Sequence, residues 1–308
     1  MDKATMREVF STAEFGAELP ASEIAKKLGL SRQVVARSLQ RMKSEQSVTF
    51  KVRRNPWKMG LNNYSIFFEY GRSGEKLLRL EKYLEQHPAI EYYGRAVGQY
   101  DAVAVVYARS VADITNFLRE VEHRHPRVIE RLSILTRLAV ALFPHRMNST
   151  RATSSSPLIY GIQDMSNEVD EADQKVLDAL QRCREFNLRK CSRDSKIPIA
   201  TLSRRVAGLR AKKVLLAFSF IPSIRLTGCA THRLLISTSH TDEVVRAYLL
   251  KLCEQELSIT ALISTVGSWN YEIEVACKHV SEIRQLCLTL KERLHGIIRS
   301  IEHLELVD

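Results

Sequence analysis

Ala21-Ser22-Glu23-Ile24-Ala25-Lys26-Lys27-Leu28-Gly29-Leu30-Ser31 is a helix, a turn and the start of a second helix written in eleven residues. Gly29 supplies the left-handed conformation that ends a helix tightly. Ser31 supplies a side-chain acceptor for the free N–H groups of the next one. From about Arg32 to Ser44 the apolar residues Val35, Leu39 and Met42 recur at helical spacing. The opposite face then carries Gln33, Arg37, Gln40 and Arg41, residue types able to make paired hydrogen bonds to base edges. The segment Val48-Thr49-Phe50-Lys51-Val52-Arg53-Arg54 that follows reads as a β-wing whose cations hold phosphate.

The pattern occurs twice. Leu30, Val35, Leu39, Met42 and Val48 fall in register with Ile197, Leu202, Val206, Leu209 and Leu215 at an offset of 167. Val97-Gly98 matches Val266-Gly267 at an offset of 169. Such self-similarity marks a duplication running through nearly the whole chain of 308 residues.

After each head the periodicity changes. Copy 1 predicts strand Tyr64–Tyr70, helix Glu75–Gln86, strands Ile90–Val97 and Asp101–Ala108, helix Val111–His123 and strand Val128–Leu142. Copy 2 predicts the same order from Arg233 to Val307. That is βαββαβ, the ferredoxin-like order, and helices on one face leave the other to be covered by pairing. The fold class expected is α+β, as two copies of a winged helix-turn-helix plus a ferredoxin-like (RAM-type) domain. The expected divisions are 1–60, 61–145, a linker 146–168 containing the Ser/Thr-rich run 148–157, then 169–228 and 229–308.

The net charge is +11, and its distribution is uneven. Ser31 to Lys58 holds eight cations and one acid, and Arg189 to Arg225 holds ten and one, so the remainder of the chain is net acidic. Basicity confined to the two heads suits a polyanion. The candidate DNA-contacting residues are Ser31, Arg32, Gln33, Arg37, Gln40, Arg41, Lys43, Lys51, Arg53 and Arg54 in copy 1. In copy 2 they are Arg204, Arg205, Arg210, Lys212 and Lys213. Copy 2 has Ala200, Ala207 and Gly208 where copy 1 has Gln33, Gln40 and Arg41. The first head is therefore expected to read sequence and the second to grip backbone. The alternative is a pair of helices with a solvated basic face.

The two central strands of each copy join through Gly98-Gln99-Tyr100-Asp101 and Gly267-Ser268-Trp269-Asn270. Exposed N–H groups and a side-chain acceptor there suit the charged ends of an amino acid, or equally a polar hairpin turn. Six cysteines show no CxxC spacing, and nine scattered histidines show no third metal ligand, so no metal and no disulfide framework is expected. No P-loop, dinucleotide fingerprint or nucleophile–base constellation is present, so no catalytic residue, no enzyme activity and no cofactor beyond an amino-acid effector is expected. There is no signal peptide and no membrane-length apolar run, which makes the cytoplasm the default location.

These residues resemble the Lrp/AsnC (feast/famine) transcription regulators. The resemblance is carried by Val169-Asp170-Glu171-Ala172-Asp173-Gln174-Lys175-Val176-Leu177, by the Leu28–Ser31 turn, and by Gly98–Asp101 followed by Ala102-Val103-Ala104-Val105-Val106. It implies sequence-specific double-stranded DNA binding, sensing of an amino acid or other small metabolite, and pairing of the α+β domains, here as an intrachain pseudo-dimer that further assembles. Copy 1 departs at Met6 where copy 2 has Asp173, and copy 2 departs at Asn270 and Pro198. The architecture also resembles siroheme decarboxylases, for which His87, His123, His125 and Arg95 would have to gather around a large cavity. A third reading is a non-specific architectural DNA binder.

Overall fold

The computed structural model describes residues 3–71, 74–146 and 156–307. Residues 148–155 of the Ser/Thr-rich run 148–157 lie outside them. Copy 1 runs α1 (Lys3–Ala13), α2 (Ala21–Leu28), α3 (Arg32–Ser44), β1 (Val48–Arg54), β2 (Asn62–Tyr70), α4 (Glu75–Gln86), β3 (Ile90–Val97), β4 (Ala102–Ala108), α5 (Val111–Arg124) and β5 (Ile129–Leu142). A short strand β6 (Leu158–Gly161) follows. Copy 2 is α6 (Glu171–Gln181), α7 (Leu188–Ser195), α8 (Ile199–Ala211), β7 (Leu215–Pro222), α9 (Ile224–Thr227), β8 (Ala230–Thr238), α10 (Glu243–Gln255), β9 (Ile259–Val266), β10 (Tyr271–Cys277), α11 (Val280–Arg293) and β11 (Ile298–Val307). This is the α+β duplication expected from the sequence. The chain divides into two compact units. One holds Met1–Met59, Phe143–Leu158 and Ser166–Gly228; the other holds Gly60–Leu142, Ile159–Met165 and Cys229–Asp308.

The first unit contains both heads. Gly29 ends α2 at φ 66°, and the Ser31 hydroxyl accepts from Val34 N at 3.3 Å to begin α3. In copy 2, Lys196 takes the same left-handed corner at φ 59°, and Asp170 caps α6 by accepting from Asp173 N at 2.6 Å. The expected wings are corrected: β1 pairs antiparallel with β7, from Val48↔Pro222 to Arg53↔Ala217. Each strand finds its edge partner in the other copy. Phe50 stacks on Phe218 at 6.0 Å, and Phe220 and Leu226 complete the core of the first head.

The second unit contains both α+β domains in one sheet, ordered β2-β4-β3-β11-β8-β10-β9-β5, with β5 pairing back to β2 so that eight strands close. β6 is added beside β5. The copies join at two seams, β3–β11 and β5–β9. Closure removes the open edges that each four-stranded half would otherwise expose. One face packs on helices, as Ile66, Phe68, Ala104 and Val106 do on Leu80, Leu84, Ile114 and Phe117. The other face encloses Phe67, Tyr100, Val103, Leu135, Leu235, Trp269 and Leu304.

The two hairpin tips show the internal symmetry. A Cβ on Gly98 (φ 144°) would lie 2.8 Å from Leu304 Cδ2, and one on Gly267 (φ 151°) would lie 2.8 Å from Leu135 Cγ. Each tip therefore leans on the last strand of the other copy, as closely as only glycine allows.

Candidate functional site

Both hairpins turn their aromatic residues inward. Tyr100 and Trp269 are 4% and 3% exposed and lie with Phe67 in the interior, ring centroids 4.8 to 5.9 Å apart. Asp101 Oδ2 accepts from Tyr70 N at 2.7 Å, and Asn270 Oδ1 accepts from Thr238 N at 2.7 Å and from Thr238 Oγ1 at 3.0 Å. Asp and Asn thus do the same work, closing the end of a neighbouring strand. Gly98, Gln99, Gly267 and Ser268 remain exposed at the tips.

One group of polar side chains converges on the helix-bearing side of the β3–β11 seam. A cleft of ≈530 Å³ there is lined by Tyr70, Leu77, Glu81, Arg95, Asp101 and Val307, among others. Arg95 donates from Nε to Glu81 Oε1 at 2.9 Å and from Nη2 to Glu85 Oε1 at 3.3 Å. Tyr93 donates to Glu81 Oε1 at 3.3 Å, and the Tyr70 and Tyr93 hydroxyls are 3.1 Å apart. The Glu81 hydrogen bond raises the Arg95 pKa above its ordinary value. Burial raises both tyrosines, most of all Tyr93, which also faces Tyr70 and Glu81.

Farther along, a histidine of β11 meets one of β8. Val307 is paired with Arg95, Glu305 with both Val97 and His232, and His303 lies two residues on, about 13 Å from Val307 at strand spacing. His303 Nε2 is 2.9 Å from His232 Nδ1. His232 is 2% exposed, whereas His303 is open to solvent. Burial holds both imidazoles below their ordinary pKa; the charge of His303 lowers that of His232 further, while Glu305 opposes the fall in both.

This polarity is one-sided. Counterparts follow from the registers, in which Tyr70 and Thr238 both bond the hairpin acceptor, and Arg95↔Ala102 matches Ser264↔Tyr271. Tyr70, Tyr93 and Arg95 then correspond to Thr238, Leu262 and Ser264, and Glu81, on a helix one residue shorter than α10, falls against Leu249–Leu250 there. His303 corresponds to Ile134. Copy 1 and copy 2 have each placed their polar changes at the same one of two equivalent seams. Aligning the copies position by position is the sequence signal that exposes this; of the polar residues lining the cleft, only Arg95 and Asp101 stand out in the sequence without it. His87 packs on Phe117 and Tyr83, His125 on Tyr83, and His123 is exposed, so none of these three lines the cleft.

In the heads, Ser31, Arg32, Gln33, Arg37, Gln40, Arg41 and Lys43 all lie exposed at or on α3. Arg41 is paired with Glu45 at 2.6 Å and Lys43 with Glu185 at 3.0 Å. Lys51, Arg53 and Arg54 are half-buried on β1, Arg53 donating to Ser219 Oγ. In copy 2, Arg205 pairs with Asp170 and Asp173 at 2.8 Å, Arg210 with Glu18, and Lys212 with Asp173 at 3.5 Å. Arg204 and Lys213 are exposed. No group of three metal-ligating side chains occurs among the described residues, and no helix among them is long and apolar enough to cross a membrane.

No protein-family model matches the sequence, and no curated protein matches it. Solved structures do. The siroheme decarboxylase NirDL is 11% identical, with 99% of this chain and 91% of that one covered at a TM-score of 0.59. Its co-complex with an iron-uroporphyrin III analogue gives 100% and 92%, again at 11% identity and 0.59. An AsnC family transcriptional regulator from Agrobacterium tumefaciens is 19% identical over 51% of this chain and 97% of its own, at 0.39. The expectation of a chain that is not an enzyme and takes no cofactor is thereby corrected. Over its full length this fold is one that an enzyme also uses, with a tetrapyrrole bound in one of the two structures. A missing nucleophile–base motif does not exclude an enzyme, because groups contributed by separate strands leave no local motif.

Proposed function

We propose that this chain is an enzyme of the siroheme-decarboxylase type, acting on a carboxylated tetrapyrrole laid over the β3–β11 seam. The observation that supports this reading is the one-sidedness of the seams. Two equal sensor domains would keep two equal sites, whereas a duplicated enzyme with one substrate per chain needs only one. The residues present fit such a substrate. Val97 and Val307, 64% and 43% exposed, give an apolar floor for a macrocycle. Arg95 supplies a planar donor for a peripheral carboxylate, with its Nη2 exchanging Glu85 for the ligand. Loss of CO₂ from a side chain requires a proton on the carbon left behind. His303, open to solvent and backed by His232, is the group suited to carry it. Anaerobic titration with siroheme should shift its visible spectrum at one equivalent per chain and release CO₂. Loss of the shift in Arg95→Leu, with Arg37→Ala unaffected, is expected; no shift in the parent protein would overturn the reading.

A second reading rests on α3. Arg32, Gln33, Arg37 and Gln40 are exposed there, and neither arginine has an ion-pair partner among the described residues. That face is suited to the major groove, and copy 2, whose Arg205, Arg210 and Lys212 are engaged in ion pairs, is less so. Fluorescence anisotropy on genomic DNA fragments tests it. Salt-dependent binding weakened by Arg37→Ala favours this reading, and salt-independent or absent binding excludes it.

A further inference from the structure

We infer that a buried ion pair inside the closed sheet makes copy 1 pair with copy 2 and rejects the pairing of either copy with its like. Arg137 on β5, Arg233 on β8 and Glu272 on β10 are 7%, 3% and 0% exposed. Arg233 serves its own copy: Nη1 is 3.4 Å from Glu272 Oε2, and Nη2 donates to Glu274 Oε2 at 2.8 Å. Arg137 donates from Nε to Ser65 Oγ at 2.6 Å, and its Nη2 lies 3.6 Å from Glu272 Oε2. That last contact crosses between the copies. Burial works against the Arg137 charge, and Glu272 is the leading group that offsets it.

The symmetry-related positions carry no charge. Arg137 is flanked in the sheet by Asn63 and Thr265, and the residue flanked by their counterparts, Thr231 and Ala96, is Leu306. Glu272 is flanked by Leu235 and Ile263, and their counterparts Phe67 and Gly94 flank Val103. By the same registers, Arg233 and Glu274 correspond to Ser65 and Val105. Leu306 and Val103 belong to one apolar cluster.

Three pairings are then open to the two copies. Copy 1 with copy 2 brings two guanidinium groups and two carboxylates together, and the charges cancel. Two copies 1 would bury Arg137 against Val103 with no carboxylate at hand. Two copies 2 would set Glu272 against Leu306, leaving two carboxylates on one guanidinium. An uncompensated charge in such an interior is strongly unfavourable, while a matched apolar pair would stabilise the sheet about as well as the ion pair does. What the ion pair adds is therefore the choice of partner, made by penalising the wrong one.

A protease site inserted between residues 147 and 155 allows the purified full-length protein to be nicked, so that its copies can exchange. Native mass spectrometry then reads the three pairs by mass. The parent should retain only the unlike pair. The double variant R137L/E272V, which writes the Leu306 and Val103 solution into these positions, should give both like pairs in statistical amounts. E272V alone, which strands Arg137, should lower the thermal midpoint more than R137L alone, which leaves Glu272 with Arg233. R137Q/E272Q, neutral and closer in shape, carries the same reading should the apolar double variant not fold. Only unlike pairs in a folded double variant, which lacks the Arg137–Glu272 contact, would overturn the inference and assign partner choice to other contacts.

Discussion

Replacement of Trp269 separates a ligand-facing hairpin from a core one. The side chain is 3% exposed, edge-on to Phe67 at 4.8 Å and 5.9 Å from Tyr100. Truncating a buried tryptophan to alanine leaves a cavity that a closed sheet cannot fill by collapse. The expected loss for Trp269→Ala is about 3–5 kcal/mol. Trp269→Phe should behave differently. The indole Nε1 has no hydrogen-bond partner among the described residues, and a buried donor of that kind costs about 1–3 kcal/mol. Phenylalanine removes that donor together with part of the ring, so the two effects oppose and the net change should stay within about 1.5 kcal/mol. Urea denaturation followed by far-ultraviolet circular dichroism measures both. Trp57, fully buried in the unit of the heads, is then the sole tryptophan, and its fluorescence reports that unit separately. A Trp269→Ala change under about 0.5 kcal/mol, the range of ordinary surface substitutions, would refute the placement of this residue in the core.

Asp101→Asn should keep the protection of the Tyr70 amide in hydrogen exchange, because Asn270 already performs that task for Thr238; Asp101→Ala should lose it, at about 1 kcal/mol. Arg205→Ala should lower the urea midpoint, since Asp173, buried, loses its closest cation; an unchanged midpoint with weakened DNA binding would make Arg205 a phosphate contact instead. His232 and His303 have folded pKa values below the 6.5 of a free imidazole, so the unfolded chain binds more protons as pH falls through that value and stability falls with it. His87 and His125 are shifted in the same direction by burial, so His232→Gln/His303→Gln should flatten the decline of the thermal midpoint toward about pH 5 without abolishing it.

Element boundaries were legible because local chemistry sets them. Gly29 and Ser31 end one helix and begin another, and Glu75–Gln86 and Tyr271–Cys277 carry their own apolar periods. Pairing was not legible. Val48–Arg54 has the same β pattern whether it folds on a neighbour as a wing or joins Leu215–Pro222 of the other copy. At the hairpins, residue type suggested an acceptor facing a ligand, but sequence carries no direction for a side chain, and Tyr100 and Trp269 point into the sheet. The seam was hidden for another reason. His232 and His303 are 71 residues apart, and they meet only because β8 and β11 are neighbours. What the sequence did hold was the divergence of matched positions, Arg95 against Ser264 and Tyr93 against Leu262, which becomes informative once the copies are aligned through their registers.

Stoichiometric anaerobic titration of siroheme tests the one-site account most directly. A single site should saturate at one tetrapyrrole per chain, with the affinity lost in Arg95→Leu, weakened in His303→Ala, and retained when Ser264, the counterpart of Arg95 on the opposite seam, is changed to alanine. Two equivalents per chain, or equal losses from Arg95→Leu and Ser264→Ala, would contradict it.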